Sequence, residues 1–190
     1  RPRPRAALAP GPPGRYAASP RSPATGPMAD VFDPATRSRV MAAVRRRDTS
    51  PELRLRRALH ALGFRFRLDV GKLPGRPDLV FAKHRAAVFV HGCFWHRHPD
   101  CPKATTPAAN VGFWAAKFRR NTARDAEAQA ALAALGWRVA VVWECALEPR
   151  RAADTTAAVA TWLRSASPRL DLPEDLSRWS ASAAPPPPSP

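Results

Sequence analysis

Apolar residues recur along the chain in two patterns, which predict helices and strands between residues 34 and 166. A spacing near 3.6 residues, typical of helices with one apolar face, predicts helices over 34–46, 50–62, 109–136 and 152–166. Alternating or continuous apolar runs predict strands over 64–70, 77–82, 86–92 and 137–144. This order predicts an α/β fold in which a mixed sheet is flanked by helices on both faces.

The residues at the ends of the predicted helices support their boundaries. Thr49 or Ser50 is suited to cap the second helix, and Pro51 fits its first turn. Gly63 follows that helix and Gly136 closes the third, as expected where the backbone must leave the helical conformation. The same punctuation therefore separates helix from strand at both places.

The two ends of the chain lack this patterning. Residues 1–27 are rich in Pro, Ala, Arg and Gly, and the chain finishes with SASAAPPPPSP. Neither composition supplies the apolar residues of a core. We therefore predict a disordered Pro/Arg-rich extension over 1–27, a folded domain over 28–166, and a low-complexity tail over 167–190. Met28 opens the patterned stretch and is a candidate for the natural start.

The net charge of +16 and the isoelectric point near 11.6 predict an anionic polymer as partner, with nucleic acid first. Residues 1–27 carry five arginines and residues 166–190 a net −1, which leaves +12 on residues 28–165. The basic character therefore belongs to the predicted domain. Charge alone is weak evidence, because basic tails and the frequent use of arginine in GC-rich coding sequences also produce it.

The chain shows no sign of a membrane or export route. No apolar run approaches the roughly 18–20 residues that cross a bilayer, and the first residues lack the apolar region of a secretory signal. Three cysteines are an odd number for a disulfide framework. These features predict no membrane partner and a reduced, cytoplasmic setting, where cysteines serve metal binding or catalysis more often than disulfides.

The segment HGCFWHRHPDC, residues 91–101, concentrates residues that can bind metal or move protons. Cys93, His98 and Cys101 together with Cys145, which follows a predicted strand, could form the closed four-ligand site of a structural zinc. His91 or His96 could take the place of His98, and buried, unpaired thiols are the plainer alternative. His91 and His96 lie nearer the strand and are better placed for catalysis.

Three acids are candidates for a second site. Asp78 begins a predicted strand after a Gly-Arg-Pro turn, Glu52 lies on the second helix and Asp125 on the third. A carboxylate in the position of Asp78 can bind Mg²⁺, which prefers oxygen ligands, and Mg²⁺ assists phosphodiester cleavage. The alternative is structural, with Asp78 capping a turn and the other two acids forming surface ion pairs.

Five motifs now show a family resemblance that runs from about Met28 to Arg164. MADVFDPATRSRVMAAVRRRDTSPE, LPGRPDLVF, FVHGCFWH, FW with a downstream NTARD, and LGWRVAVVWECAL resemble the Vsr family, the very short patch repair endonucleases that act on DNA mismatches. The resemblance implies a restriction-endonuclease-like fold. It also implies Mg²⁺-dependent nicking of double-stranded DNA, 5′ of the thymine in T:G mismatches that arise from 5-methylcytosine deamination.

The resemblance implies roles for the residues of these motifs. Asp78 would be the main Mg²⁺ ligand, and the backbone carbonyl of Val90 would be another, at a position where the family often has Thr. His96 would be the general base and His91 would lie close to the scissile phosphate. The acids that would orient the histidines or the metal's waters are Glu52 and Asp125. The Glu-x-Lys usual in this nuclease fold is missing after Asp78, so histidine would do its work.

The family resemblance also implies a DNA surface. The aromatic residues that would wedge into the duplex beside the mismatch are Phe94, Trp95 and Trp114, although aromatic residues beside a cysteine commonly pack a core. The basic residues suited to phosphates, or simply to a solvated face, are Arg37, Arg39, Arg45, Arg46, Lys117, Arg119 and Arg120.

Two alternatives to the mismatch nickase remain at this point. One is a nuclease of the same fold with a different sequence specificity, and the other is a non-catalytic, zinc-stabilised DNA-binding module. The family resemblance further suggests a monomer that works beside mismatch-repair proteins and a repair polymerase.

Overall fold

A computed structural model of the protein describes Thr36, Arg39 and residues 47–174. The elements in chain order are α1 (Ser50–Ala61), β1 (Leu79–Phe81), β2 (Ala86–His91), α2 (Cys93–His96), α3 (Val111–Ala134), β3 (Arg138–Trp143), α4 (Ala152–Arg164) and β4 (Arg169–Leu172). Short 3₁₀ turns follow β1 and β3, at Ala82–His84 and Glu144–Leu147. Thr36 and Arg39 are helical, and the rest of the helix predicted over 34–46 lies outside the described residues.

The four strands form one sheet in the order β1-β2-β3-β4. β1 runs antiparallel to β2, whereas β2, β3 and β4 are mutually parallel. The parallel pairs are joined by α3 and by α4, as parallel connections require. The predicted mixed α/β architecture is therefore confirmed, and it fits a nuclease fold.

Alternate residues of β2 enter two different layers of the core. Ala86 and Val88 join the larger cluster, which includes Leu55 of α1 and the fully buried Trp162 of α4. The intervening Ala87 and Phe89 pack in a second cluster with Leu132 of α3 and Val139 of β3. The sheet is thus covered on both faces, and each large apolar side chain buried there contributes about 1.5–3 kcal/mol. His91, two residues beyond Phe89, continues the face that α3 covers.

α3 is the longest described helix, with 24 residues and a length of about 36 Å. Trp114 and Phe118 are buried near its start, and Ala128 and Leu132 near its end. Asp125 lies between these two buried pairs. None of the helices that the structure describes is both long and apolar enough to cross a membrane.

The predicted strand over 64–70 is reduced to one bridge. Arg67 and Val80 exchange two backbone hydrogen bonds of 2.9 Å, and the pairing goes no further. Asp69 has a φ of 51°, a left-handed conformation that takes the chain out of the extended path. The segment FRFRLDV does alternate apolar and polar residues. Its backbone turns, however, before a ladder of strand hydrogen bonds can form.

The segment predicted as a C-terminal tail contributes a strand instead. β4 pairs with β3 in parallel, and its Leu170 and Leu172 are fully buried. The ordered fold therefore continues past residue 166, the predicted end of the domain. The sequence signal was weak because RLDL has only two alternating apolar residues and is followed by Pro173.

Candidate active site and metal centre

A cavity of about 400 Å³ opens where the turn before β1, the end of β2 and the middle of α3 meet. Its polar lining consists of Glu52, Arg76, Asp78, His91, His96, Arg124, Asp125 and Gln129. All five side chains predicted to serve catalysis thus line one cavity, although they come from five separate elements or turns. Arg76 and Arg124 were not predicted as site residues. Arg76 lies in the turn before Asp78, and Arg124 directly precedes Asp125.

Asp78 is held at the cavity by a close-packed turn and by the neighbouring strand. Gly75 has a φ of 71°, and an added Cβ there would lie 2.6 Å from that of Ala128. Only glycine lets the turn approach α3 so closely. The Val90 N–H donates to Asp78 Oδ2 at 2.7 Å, so the Val90 peptide lies against this carboxylate. Burial raises the pKa of Asp78 to about 6, although the Val90 hydrogen bond opposes the rise.

His91 and His96 form a stacked pair beside Asp78. Their ring centroids are 4.0 Å apart and the rings are inclined by only 11°, because the single turn of α2 brings His96 back over the end of β2. Burial lowers the pKa of His91 to about 3, and the nearby charge of His96 adds to the effect. His91 is therefore neutral at physiological pH.

His96 is paired with a carboxylate from α3. Its Nδ1 lies 2.5 Å from Asp125 Oδ2. Burial works to raise the pKa of Asp125, but the hydrogen bond and charge of His96 hold that pKa below its ordinary value. With an ionised Asp125 as acceptor, Nδ1 of His96 carries the shared proton, and Nε2 of a neutral ring keeps its lone pair. This arrangement is suited to accepting a proton at Nε2.

Glu52 lines the cavity but bonds to the start of its own helix. Its carboxylate accepts from the Thr49 hydroxyl at 2.8 Å, from the Asp48 N–H at 3.0 Å and from the Arg56 guanidinium at 2.8 Å. These contacts resemble a capping box, in which the third helical residue stabilises the chain before the helix. The described contacts of Glu52 are thus with the start of α1 and not with a histidine, and its negative charge adds to the rise in the pKa of Asp78. Its expected role toward the waters of a metal stays a prediction.

A second cluster collects Cys93, His98, Cys101 and Cys145, whose ligand atoms all lie within 4.8 Å of one another. His98 Nδ1 lies 3.6 Å from Cys93 Sγ and 3.4 Å from Cys145 Sγ. The three thiols are free. Burial raises the pKa of the Cys93 and Cys145 thiols. Among the alternatives that the spacing left open, the structure brings His98 to the thiols and leaves the other two histidines in the cavity.

One indole separates the two groups of side chains. Trp143 stacks on His98, with centroids 4.3 Å apart and an angle of 16°. It meets His91 edge to face at 5.3 Å. The cavity and the cysteine cluster are therefore neighbours that share the packing of a single side chain.

The three aromatic residues predicted to enter DNA form one cluster. Phe94 lies 5.0 Å from Trp95 and 5.5 Å from Trp114, measured between ring centroids. Phe94 and Trp95 are half-buried, but Trp114 is only 6% exposed and packs in the manner of the core alternative. Phe113, 57% exposed beside it, was missed because FW alone does not show which ring faces outward.

The predicted phosphate-binding residues have different environments. Lys117 lies over the aromatic cluster, 5.1 Å from the centre of the Trp95 ring, whereas Arg119 and Arg120 are exposed on α3. Arg39 is exposed and donates to the Thr36 hydroxyl at 3.0 Å. The remaining residues of this prediction, which lie outside the described part of the chain, are Arg37, Arg45 and Arg46.

Comparison with known proteins gives one consistent result. The family model described as DNA mismatch endonuclease Vsr matches residues 29–103. The type II nicking enzyme V.XorIIP of Xanthomonas oryzae is 48% identical over 120 residues, which cover 63% of this chain and 88% of the relative. The DNA mismatch endonuclease Vsr of Escherichia coli is 48% identical over 123 residues, or 65% of this chain and 78% of the relative.

A third relative extends the same pattern. The type II nicking enzyme V.NmeAIP of Neisseria meningitidis is 40% identical over 121 residues, which cover 64% of this chain and 86% of the relative. These matches cover most of the length of each relative. The chain is therefore a DNA endonuclease that belongs to the Vsr family of DNA mismatch endonucleases.

Proposed function

We propose that the protein nicks one strand of double-stranded DNA, 5′ of the thymine in a T:G mismatch, by Mg²⁺-dependent hydrolysis with His96 as general base. The observation that carries the proposal is the His96–Asp125 pair, 2.5 Å apart in one cavity with Asp78 and His91. A carboxylate that can hold Mg²⁺, a histidine–carboxylate pair and a second, neutral histidine suit metal-assisted hydrolysis of a phosphodiester.

Asp78 and Val90 fit Mg²⁺ as ligands. One oxygen of Asp78 is fixed by the Val90 N–H, so the carboxylate presents its remaining lone pairs in a defined direction. Mg²⁺ usually takes one or two carboxylates and keeps several waters, which suits a cavity with Asp78 as the principal acid and the Val90 carbonyl as a second oxygen. When bound, Mg²⁺ supplies positive charge against the phosphate in the transition state.

The histidines divide the proton transfer and the phosphate contact between them. His96 Nε2 takes the proton of the attacking water while Asp125 holds Nδ1 and stabilises the imidazolium that forms. His91, kept neutral by burial, contacts the scissile phosphate without adding a charge that would oppose protonation of His96. Glu52 acts from its place beside Asp78, as a contact for the metal's waters.

Arg76 and Arg124 add positive charge around this chemistry. Both arginines line the cavity, and both are exposed to solvent. Guanidinium groups form strong, often bidentate hydrogen bonds with phosphate oxygens. We propose that they hold the phosphates on either side of the scissile one, which fixes the register of the strand without reading its bases.

We propose that the cysteine cluster binds a structural Zn²⁺. Tetrahedral zinc with Zn–S of about 2.3 Å and Zn–N of about 2.0–2.1 Å separates sulfur from nitrogen by about 3.5 Å. The distances from His98 Nδ1 to Cys93 and Cys145, 3.6 and 3.4 Å, match this separation. Four protein ligands close the site, so the ion would serve to hold α2, which carries His96, in place.

Mismatch recognition is assigned to Phe94 and Trp95, which follow Cys93 on α2. Apolar side chains inserted into a base step unstack it at a free-energy cost of a few kcal/mol, and a wobble T:G pair is easier to open than a matched pair. Insertion of Trp114 as well requires its ring to leave the aromatic cluster. We expect a monomer that works with mismatch-repair proteins and a repair polymerase.

The test is cleavage of matched duplexes that differ only in a T:G, C:G or T:A pair at one position. We expect a single nick, 5′ of the thymine, in the T:G duplex with Mg²⁺ and none with a chelator. His96→Ala should lower the rate by about 10²–10⁴-fold, the range for loss of a general base. Equal cutting of the C:G duplex, or cutting of both strands, would contradict the mismatch assignment.

A further inference from the structure

His98 uses both of its ring nitrogens. Nδ1 faces the thiols of Cys93 and Cys145, and Nε2 lies 2.5 Å from Glu174 Oε1. His98 is buried, whereas the Glu174 side chain is half exposed. The contact joins the loop after α2 to a residue 76 positions further along the chain.

The parallel pairing of β3 and β4 explains how Glu174 arrives there. Val142 lies opposite Leu172 at the carboxyl ends of these strands. Cys145 follows β3 by two residues and Glu174 follows β4 by two, so both reach the same edge of the sheet. One brings a thiol to the cluster and the other brings a carboxylate to its histidine.

A carboxylate at Nε2 decides which nitrogen of His98 can bind a metal. A neutral imidazole has one N–H and one lone pair, and the Nε2–H donated to Glu174 leaves the lone pair on Nδ1, toward the thiols. Such outer carboxylates orient metal-binding histidines and raise their basicity. Glu148, a nearby acid, is already paired with Lys103 at 2.9 Å.

We propose that Glu174 is a positioning residue of the metal centre, which fixes the tautomer and orientation of His98 so that the loop retains its zinc. The inference rests on the proposed zinc site and adds to it an outer partner from the C-terminal segment. Through this contact the segment after β4 supports α2, which carries Phe94, Trp95 and His96.

The experiment compares the full-length protein with E174Q, E174A and the control E127Q, which removes an exposed carboxylate from α3. Each purified protein is analysed for zinc and then titrated with a chromophoric chelator. We expect one zinc in the wild type and in E127Q. We expect E174A to release zinc to the chelator about 10–100-fold more readily, the usual effect of losing an outer partner.

E174Q separates charge from packing, because the amide has the size of the carboxylate without its charge. If the carboxylate acts on His98, E174Q falls between wild type and E174A, and the absorption of the Co²⁺-substituted protein changes in both variants. Equal zinc retention and equal Co²⁺ spectra in all four proteins would overturn the role of Glu174 alone. A wild type without zinc would overturn the zinc site, whatever the T:G cleavage assay shows.

Discussion

The cavity and the cysteine cluster both take histidines from the segment 91–101, yet the contacts of these histidines differ. In the cluster both nitrogens of His98 are engaged, one toward thiols and one by Glu174. In the cavity Asp125 takes only one nitrogen of His96 and leaves the other available. The number of engaged nitrogens therefore separates a histidine suited to holding an ion from one suited to moving a proton.

The cavity and the cysteine cluster also differ in how they suit the binding of ions. In the cavity, burial raises the pKa of Asp78 to about 6 and lowers that of His91 to about 3, so the charged form of both groups is disfavoured. Groups held this way respond strongly to an arriving cation or phosphate. The cysteine cluster, by contrast, is suited to a permanently bound structural ion. We therefore expect changes in the cavity to affect rate, and changes in the cluster to affect stability.

The largest effect is expected from D78N. Metal-ion catalysis supplies several kcal/mol of transition-state stabilisation, so its loss lowers the nicking rate about a thousandfold or more. Asn keeps an oxygen for the Val90 N–H, and the melting temperature, zinc content and affinity for a T:G duplex should stay close to wild type. Single-turnover kinetics measure the nicking rate and calorimetry measures the melting temperature. D154N, which changes an exposed carboxylate, is the control. Cleavage within tenfold of wild type would place the metal elsewhere.

C145S should have the second largest effect, and on the opposite property. Removing one thiolate from a closed site weakens zinc binding severely, and the folding free energy supplied by the ion is lost with it. We expect less than one zinc per chain and a clear fall in the urea midpoint of unfolding. Nicking should fall in proportion to the folded fraction. Full zinc content with an unchanged midpoint would remove Cys145 from the cluster.

The pH dependence of stability should expose His91. Its pKa is about 3 in the folded protein and near 6.5 when unfolded, so between these values only the unfolded chain binds the extra proton. Stability is then lost as pH falls through this window, by an amount of the order of a few kcal/mol. The raised pKa of Asp78 acts in the opposite direction below about pH 6.

Urea unfolding of the metal-free protein at about pH 7 and about pH 5 tests this balance. H91Q should lose less stability than wild type on acidification, because Gln does not titrate. D78N should lose more, because the opposing carboxyl is gone. Identical losses in wild type and H91Q would show that His91 is not held neutral by burial.

R124A should have the smallest effect. One phosphate contact fewer weakens DNA binding several-fold and reduces the slope of log K against log salt by about one. R57A, which removes an exposed charge from α1 outside the cavity lining, is the matched control. Binding isotherms over a range of salt concentrations measure the slope. An equal change in R57A would mean that Arg124 contributes only general charge.

The sequence predicted those elements whose apolar pattern is long. β2 and β3 are continuous apolar runs, and α3 has its buried residues on one face over 24 positions. β4 has two apolar residues, too few to distinguish a strand from a tail. The short helix α2 was also missed, because four residues are too few to show a helical period. Pattern length, more than composition, separates the two outcomes.

For the site residues, the limit of prediction from sequence was of a different kind. Motifs brought Asp78, His91 and His96 into consideration because the local chemistry of each residue is distinctive. Which of the three closely spaced histidines faces the cavity and which faces the thiols depends on contacts with α3 and the end of β3. The spacing of the histidines in the sequence does not reveal these contacts. Glu174 was missed for the same reason, since its partner lies 76 residues away. Glu52, in turn, was predicted from its charge, but its hydrogen bonds are local.

Strand order in the sheet equals strand order in the chain, and this has a consequence for synthesis. Each strand pairs with its immediate predecessor, so an emerging chain can add β1, β2, β3 and β4 in turn as domains fold from the N-terminus. The residues that line the cavity have all been made by Gln129, before Cys145 and Glu174 exist. A nascent chain therefore contains every residue that lines the cavity before it contains Cys145 of the cysteine cluster and Glu174, the proposed partner of His98.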